Sequence, residues 1–247
     1  MCGAGTLSVA KALVETGMVK RVEPETKIVL ETPTGLVTVY VKWENHTVAS
    51  INLENVPAFL YRKDLHIDLA GYGDVSVDIG YGGNFFVLAD VHSLGLTITK
   101  DTVNLLRSLS KDILAAANKV IKVAHPTNPA INYLDQVLFC QNVPEEDGGY
   151  LAQCIFGDAQ ADISPCGTGT STRLAQRYFR GLIGLEETFV QKSVCGGAFH
   201  AKGLRETTLG GVPAIVPYVS CSDVHITGFN HLIVEENDKL KNGFVSW

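Results

Sequence analysis

A short motif that occurs twice constrains the fold of this 247-residue chain more than any other feature. Residues 2–6 read Cys-Gly-Ala-Gly-Thr, and residues 166–170 read Cys-Gly-Thr-Gly-Thr. A run with the pattern of a helix follows each copy, over residues 7–16 and 171–180, and a glycine ends each run. The same offset of 164 residues separates the two cysteines and the two terminal glycines. The repeat therefore predicts two similar halves, each with a cysteine at the N-terminus of a helix.

Most of the remaining chain has the alternation and the turn residues of β-strands. A hairpin is predicted from residues 27–31 and 36–43, and an amphipathic helix is predicted to begin near Asp101. Residues 224–247 are predicted to form a strand, an acidic turn and a second strand. Further strands are predicted at residues 47–53, 75–79, 85–89, 137–140 and 151–156. This pattern suits a turn-rich protein with much β-structure.

The chain has the composition of a folded protein, because 46% of its residues are hydrophobic and only 19% are charged. Its formal net charge is −6, from 20 Lys and Arg against 26 Asp and Glu. No basic run is interleaved with aromatic residues, so nucleic-acid binding is not expected. No apolar stretch reaches the roughly 18 residues that indicate a membrane span. The chain opens without the pattern of a signal peptide, which predicts a cytoplasmic location.

Five of the six cysteines fall into two groups. None forms a CxxC pair or has zinc-finger spacing to histidine, so neither a metal site nor a disulfide framework is predicted. Cys140, Cys154 and Cys221 lie in apolar runs and are predicted to be buried side chains without a chemical role. Cys2 and Cys166 differ, because glycines follow them directly and a predicted helix comes next.

The position of these two cysteines indicates acid–base chemistry. The N-terminus of a helix has unpaired N–H groups and a positive partial charge, which favour a thiolate and bind a carboxylate. Two such ends that face each other across a cleft offer a base on each face of one substrate. One thiolate would remove a proton from a carbon next to a carboxylate, and the opposite thiol would protonate the other face. This inversion needs no metal or other cofactor, because N–H donors stabilise the charge that builds on the carboxylate.

The same motifs resemble the signatures of the proline racemase family, which includes 4-hydroxyproline 2-epimerases and trans-3-hydroxyproline dehydratases. The first signature covers residues 1–6, and the second runs over residues 162–171 as Asp-Ile-Ser-Pro-Cys-Gly-Thr-Gly-Thr-Ser. Residues 55–59, 81–86, 226–230 and 242–244 are similar to further segments of the family. The resemblance covers nearly the whole chain.

The resemblance implies an α/β (α+β) fold like that of diaminopimelate epimerase, with two pseudo-symmetric domains that each have a curved mixed sheet around a central helix. The first domain would comprise residues 1–53 with 227–247, and the second residues 54–226. The reaction would invert the α-carbon of proline or 4-hydroxyproline, without a metal or cofactor. The expected partners are that small-molecule substrate and a second copy of the chain in a homodimer.

Roles for individual residues also come from the resemblance. The two catalytic acid/base thiols would be Cys2 and Cys166. Asp162 would accept hydrogen bonds from the ring ammonium, and Phe156 would line the ring pocket. The residues whose N–H groups would hold the substrate carboxylate are Gly3, Ala4, Gly167 and Thr168. Gln136 either hydrogen-bonds a ring hydroxyl or faces solvent, so proline and 4-hydroxyproline are not distinguished.

The sequence departs from the family's pattern in three ways. The first motif of the family continues with histidine where this chain has Ala4, and the second has arginine where it has Ile163. Family members also have a substantial segment before the first motif, so the first domain is expected to be incomplete. The helix over residues 7–16 would then leave Leu7, Leu13 or Val14 unusually exposed, or covered by another chain.

Three alternatives to a racemase or epimerase follow from the sequence. The dehydratases of the family usually have threonine at the position of Cys166, which disfavours that reaction here. A truncated, inactive pseudoenzyme that keeps the fold is favoured by Ala4 and by the missing segment. Glutamine amidotransferases with an N-terminal nucleophile also begin Met-Cys-Gly, but a strand follows their motif, whereas a helix is predicted here.

Overall fold

The computed structural model describes residues 1–143, 149–230 and 233–243 of the chain. Within these ranges the α-helices are α1 (Gly3–Glu15), α2 (Val103–Val120) and α3 (Gly167–Phe179), and Val91–Leu94 form a 3-10 turn. The strands are β1 (Glu25–Thr32), β2 (Gly35–Glu44), β3 (Thr47–Glu54), β4 (Phe59–Leu69), β5 (Gly73–Tyr81), β6 (Phe85–Asp90), β7 (Gln136–Val143), β8 (Gly149–Phe156), β9 (Gln160–Ala161), β10 (Phe189–Lys192), β11 (Ala198–Leu209) and β12 (Val212–Cys221). No helix in the described ranges is both long and apolar enough to cross a bilayer.

The strands form one mixed sheet in the order β1-β2-β3-β12-β11-β10-β8-β7-β6-β5-β4, with β9 paired to β8. Neighbouring strands are antiparallel except for two parallel pairs, β6 with β7 and β8 with β10. A parallel pair needs a crossover connection, and these two pairs are the places where α2 and α3 connect the strands. The mixed α/β class that the sequence implies is confirmed.

Helix α3 lies at the centre of the molecule, and the sheet curves around it. Every residue from 167 to 175 is buried, and α3 contacts β4, β5, β6, β11 and β12. The sheet bends far enough that Ala58, just before β4, pairs with Ile215 of β12. The predicted arrangement of a curved mixed sheet around a central helix is therefore present in this half of the chain.

Helix α1 packs on β2 and β3 and buries one face there. Leu7 and Val14 are 1% and 6% exposed, Leu13 is half-buried, and Val9 on the opposite face is 48% exposed. The prediction that Leu7 or Val14 would be unusually exposed is therefore wrong. The reason is that β1, β2 and β3 form a three-stranded platform that β12 extends. This platform is wider than the hairpin and the strand from the end of the chain that the prediction assumed.

The sequence prediction fails most clearly at the end of the chain. Residues 222–230 and 233–243 contain no helix or strand, so the strand predicted to begin at residue 224 is wrong over the described residues. The end of the segment, residues 244–247, lies outside the described residues. The predicted division into residues 1–53 with 227–247 and residues 54–226 stays a prediction. Hydrogen bonds between β3 and β12 continue the sheet across the proposed boundary.

Candidate active site

The N-termini of α1 and α3 meet at two glycines. A Cβ atom placed on Gly3 would lie 2.7 Å from the Cα of Gly167, and one placed on Gly167 would lie 2.8 Å from the Cα of Gly3. Only glycine allows two backbones to approach this closely. Cys2 and Cys166 directly precede these glycines, so their Cα atoms cannot be more than about 12 Å apart. The repeated motif thus brings its two cysteines to one place in the fold.

Cys166 is a buried N-cap held in an uncommon backbone conformation. Its φ of +66° lies in the left-handed region that residues other than glycine seldom adopt. Its Sγ accepts the Gly169 N–H at 3.3 Å and lies 3.7 Å from the Thr168 Oγ1. Strained residues of this kind cluster at functional sites, where the surrounding structure holds them.

Cys2 is the N-cap of α1 and is exposed to solvent. Its backbone is extended, with a φ of −122°, and its Sγ accepts the Gly5 N–H at 3.4 Å. Its carbonyl oxygen accepts both the N–H and the hydroxyl of Thr6. The prediction that both cysteines lie at helix N-termini is confirmed, and each sulfur accepts an N–H from the third residue after it. The helix after Cys2 also disagrees with the strand that an amidotransferase of this type would have.

Four backbone N–H groups of the two helix ends have no acceptor within the described parts of the chain. They belong to the four residues predicted to hold a substrate carboxylate, Gly3, Ala4, Gly167 and Thr168. Two helix N-termini that meet combine their unpaired N–H groups with their positive partial charges. The arrangement has the donors and the charge to bind an anion.

A third cysteine lies beside Cys166. The Sγ atoms of Cys154 and Cys166 and a carboxylate oxygen of Asp162 are all within 4.8 Å of one another. The Asp162 N–H donates to the Cys154 carbonyl at 2.9 Å, and Asp162 Oδ1 accepts the Ser164 N–H at 2.8 Å. A hydrogen bond with Cys166, and then burial, hold the pKa of Cys154 well above its ordinary value. Cys154 is buried as predicted, but the prediction that it is a mere core residue misses this contact.

The strand pattern could have indicated that Cys154 lies near the predicted site. Side chains two residues apart point to the same face of a strand, and Cys154 precedes Phe156 by two residues on β8. Phe156 is half-buried and packs against the apolar cluster that contains Cys154 and Cys166. Gln136 of β7 lies directly opposite Phe156 in the sheet. Phe156, which is predicted to line the ring pocket, therefore packs against the cluster that contains Cys166, and Gln136 pairs with Phe156 in the sheet.

Two asparagines that the sequence analysis did not single out connect the motifs to the sheet. Asn84 donates to the Met1 carbonyl at 2.8 Å and to the Thr168 hydroxyl at 3.5 Å, so one side chain contacts both motifs. Asn55 is buried and donates to the Gly82 carbonyl and to the Ser171 hydroxyl, both at 2.9 Å. These amides hold the N-terminal turn of α3 and the start of the chain against the turn before β6.

A cavity of about 510 Å³ opens beside the helix ends. Ala4, Asp162 and Ile163 line it, whereas Cys2 and Cys166 do not. Both residues that depart from the family's motifs, Ala4 and Ile163, therefore lie on the same cavity. The structure brings the two helix ends to one region, but neither cysteine belongs to the lining of this cavity.

Comparisons with known proteins show the family of the chain. The family model described as proline racemase matches residues 1–245. A trans-3-hydroxy-L-proline dehydratase from Burkholderia cenocepacia is 38% identical over 99% of this chain and 72% of its own length. A proline racemase from Acetoanaerobium sticklandii is also 38% identical, over 99% of this chain and 73% of its own length. The crystal structure of a hydroxyproline epimerase from Agrobacterium vitis with bound trans-4-hydroxy-L-proline has a TM-score of 0.88 and 32% identity, and covers 100% of this chain and 70% of that one.

The chain shares its fold with the crystal structures of a probable proline racemase and a hydroxyproline epimerase. The chain belongs to the proline racemase family. Its similar relatives are named for racemase, epimerase and dehydratase activities on proline and hydroxyprolines.

Proposed function

We propose that this chain is a cofactor-independent racemase or epimerase that inverts the α-carbon of proline or a hydroxyproline. The observation that carries the proposal is the contact between two cysteine-capped helices at Gly3 and Gly167. Because Cys2 and Cys166 directly precede these glycines, their sulfurs can approach one small substrate from two sides. Membership of the proline racemase family supports the same class of reaction.

The proposed reaction moves one proton on each face of the substrate. The thiolate of one cysteine takes the α-proton, and the charge left on the α-carbon spreads onto the carboxylate. The thiol of the other cysteine then donates a proton to the opposite face of the same carbon. Cys2 and Cys166 end with their protonation states exchanged, so the reverse reaction uses each of them in the opposite role.

The unpaired N–H groups at the two helix ends would bind the substrate carboxylate. Negative charge on this group grows as the α-proton leaves, and fixed N–H donors stabilise it most in the transition state. The Asp162 Oδ1 already accepts the Ser164 N–H, which leaves the other carboxylate oxygen for the ring ammonium. Phe156 and Gln136, which face each other across β7 and β8, would contact the ring.

The residue at position 166 favours inversion over dehydration. Inversion needs an acid or base on both faces of the α-carbon. The dehydratases of the family usually have threonine at this position, and a threonine hydroxyl is a far weaker base than a thiolate at neutral pH. Cys166 supplies the second thiol, and the identity to relatives of both kinds is the same, 38%. The presence of this cysteine therefore supports inversion, whereas overall identity does not distinguish the two reactions.

A pseudoenzyme is the second candidate. Ala4 and Ile163 both line the cavity beside the helix ends and supply no charged group there. Such a protein would keep the fold and bind a carboxylate without catalysing the inversion. A cytoplasmic location and a homodimer stay predictions for either candidate.

A change in optical rotation distinguishes the two candidates. Reduced protein is incubated with L-proline or trans-4-hydroxy-L-proline, and uptake of deuterium at the α-carbon in heavy water is measured in parallel. The proposal expects α-deuteration with at least one substrate. L-proline would lose its rotation, whereas the rotation of trans-4-hydroxy-L-proline would change to a new value because its C4 centre is kept. Trans-3-hydroxy-L-proline serves as the test for dehydration, whose product lacks the hydroxyl group.

The Cys140→Ala variant is the matched control, because Cys140 lies outside both motifs and does not line the cavity beside the helix ends. It is expected to retain the activity of the unsubstituted protein. Constant rotation and no α-deuteration with both substrates, under reducing conditions, would favour the pseudoenzyme. Dehydration without α-inversion would contradict the role given to Cys166.

A further inference from the structure

The buried cluster beside the proposed site contains a side chain that the proposed reaction does not use. Cys154 is 2% exposed and Cys166 is 6% exposed, and their Sγ atoms lie within 4.8 Å of each other and of an Asp162 carboxylate oxygen. Two sulfurs and one carboxylate are ligands that thiophilic divalent cations prefer, whereas Mg²⁺ and Ca²⁺ favour oxygen ligands alone. We propose that Cys154, Asp162 and Cys166 form a binding site for Zn²⁺ or another thiophilic divalent cation.

The spacing of the three ligand atoms fits this proposal. Zn–S bonds of about 2.3 Å in a tetrahedral site place two sulfurs about 3.8 Å apart. Ligand atoms that are already within 4.8 Å of one another therefore need to close by no more than about 1 Å. Rotation of three side chains can supply this movement without a change in the backbone.

Hydrogen bonds already orient two of the three ligands. The Gly169 N–H donates to the Cys166 Sγ at 3.3 Å, and the Ser164 N–H donates to Asp162 Oδ1 at 2.8 Å. Partners of this kind hold metal ligands in position and raise affinity for the ion. Asp162 keeps its second oxygen for the cation.

Binding of Zn²⁺ would be a proton-for-metal exchange with no change in oxidation state. Each thiol that carries a proton releases it as its sulfur becomes a thiolate ligand. Two thiolates, one carboxylate and one Zn²⁺ leave the site with a net charge of −1. Three protein ligands leave a fourth position for water or an anion.

The metal would occupy groups that the proposed reaction needs. While both residues bind Zn²⁺, Cys166 could not exchange a proton with the substrate, and Asp162 could not accept hydrogen bonds from the ring ammonium. Zn²⁺ should therefore inhibit reversibly and compete with substrate. This inhibition rests on the proposed function, whereas metal binding does not.

Titration with Cd²⁺ tests the site without any assay of activity. Reduced, chelator-treated protein is titrated while the ultraviolet absorbance of thiolate-to-Cd²⁺ charge transfer is recorded, and Zn²⁺ is added as competitor. We expect saturation at one Cd²⁺ per chain and displacement by Zn²⁺. Cys154→Ala and Asp162→Asn should each weaken Cd²⁺ binding at least about tenfold, since even an outer partner of a ligand is worth that much.

The Cys140→Ala variant is the matched control, because Cys140 is a buried cysteine of the same apolar cluster but is not one of the three ligands. It should bind Cd²⁺ like the unsubstituted protein. Unchanged affinity in both Cys154→Ala and Asp162→Asn would overturn the proposal, as would a signal abolished by Cys195→Ala. Asp162→Asn leaves the core intact, so it decides the matter if Cys154→Ala does not fold.

Inhibition of the racemase reaction is the second measurement. Zn²⁺ should inhibit the unsubstituted protein, a chelator should restore its activity, and Cys154→Ala should need at least about tenfold more Zn²⁺. If the unsubstituted protein proves inactive on every substrate, the proposed function is wrong, but the proposed metal site is unaffected. The Cd²⁺ titration then decides the metal site by itself.

Discussion

Helix α3 is enclosed by the curved sheet, whereas helix α1 rests on β2 and β3 with its opposite face in solvent. Both helices begin with the same motif, and in both the cysteine caps the helix through the N–H of the third residue after it. Cys166 is buried at a positive φ and contacts Cys154 and Thr168, while Cys2 is exposed with an extended backbone. The repeated sequence specifies the local cap, and the surrounding sheet specifies the environment of each sulfur.

This difference has a consequence for function. A buried, strained thiol with several neighbours is held in one position, and an exposed thiol is free to adjust to the substrate that arrives. Gly3 and Gly167 tie the two environments together, because the helices touch through their backbones there. If the proposed reaction is correct, both sulfurs must act on one carbon despite their unequal surroundings.

Serine substitutions should produce the largest effect and test whether the two environments are equivalent in catalysis. Cys2→Ser and Cys166→Ser should each lower the rate of proline or hydroxyproline inversion about 10²–10⁴-fold, because a serine hydroxyl is a much weaker acid and base than a thiol. Substrate binding should change far less than the rate. Steady-state kinetics of inversion, with rate constants in both directions, measures this.

The double variant provides the control for these two substitutions. If the thiols act as one unit, Cys2→Ser combined with Cys166→Ser should be hardly slower than either single variant. A rate that is preserved in Cys2→Ser but lost in Cys166→Ser would show that only the buried sulfur carries the chemistry. That result would contradict the two-base mechanism.

Alanine at the glycine contact should separate the two helix ends. Gly3→Ala places a Cβ 2.7 Å from the Gly167 Cα, a distance that the backbones cannot tolerate without moving. We expect a loss of about 1–3 kcal/mol in the free energy of unfolding, typical of overpacking, and a fall in inversion rate. Denaturant unfolding and the inversion assay measure the two effects.

The Val9→Ala variant is the control on the same helix, since Val9 is 48% exposed. Its free energy of unfolding should stay within about 0.5 kcal/mol of the unsubstituted protein. Equal stability and activity of Gly3→Ala and Val9→Ala would show that the helix ends are not held in close contact.

The C-terminal end of α3 is bound to a buried carboxylate of the sheet. The described contacts of α1 include no such carboxylate. Asp78 of β5 is buried and accepts hydrogen bonds from Arg180, at 2.6 and 2.8 Å, and from Gln176 at 2.7 Å. Asp78→Asn should lower the free energy of unfolding by about 1.5–3 kcal/mol, because it weakens hydrogen bonds to a charged group. Urea denaturation at neutral pH measures the change.

The pH dependence identifies the charge of Asp78 as the cause. Burial alone would raise the pKa of Asp78, but hydrogen bonds from Arg180 and Gln176 outweigh it and leave the pKa below its ordinary value of 3.8. A lowered pKa in the folded state stabilises the protein above the unfolded-state pKa, and this stabilisation is lost as the pH falls through the folded-state pKa. The difference in stability between the unsubstituted protein and Asp78→Asn should therefore be constant above about pH 5 and shrink below about pH 4. A difference that grows on acidification would contradict this assignment.

Local features of the fold could be predicted from the sequence because their signals are local. The cysteine caps follow from a motif that precedes a helical run, β2 follows from alternation, and β6 follows from a short apolar run after a turn. Strands β4 and β11 were missed because bulges shift their alternation, in β4 near Arg62 and in β11 between Gly203 and Arg205. In β12, Pro213 and Pro217 cannot donate hydrogen bonds to the sheet, and such prolines argue against a strand when only the sequence is read.

Contacts between distant segments could be predicted only in outline. The repeat indicated that the two cysteine-capped helix ends meet, but no local pattern shows that Asn84 contacts both motifs or that Cys154 adjoins Cys166. The burial of Leu7 was also missed, because it depends on how many strands gather beneath α1. Such contacts depend on the sheet order, which a single sequence does not reveal.

Alkylation should give the smallest effect, and it reports directly on the unequal surroundings of the thiols. Iodoacetamide reacts with accessible thiolates, and burial raises the pKa of Cys140. We expect Cys2 to be modified about tenfold or more faster than Cys140 or Cys154, as measured by mass spectrometry of peptides over time. Pyrrole-2-carboxylate, which is planar at the carbon that would lose its proton, should protect Cys2 and Cys166 if it occupies the space between them. Cys140 lies outside both motifs and does not line the cavity beside the helix ends, so its rate of modification should not change with this ligand. Equal protection of Cys140, or labelling of Cys140 as fast as that of Cys2, would show that the helix ends confer no special accessibility or reactivity on their thiols.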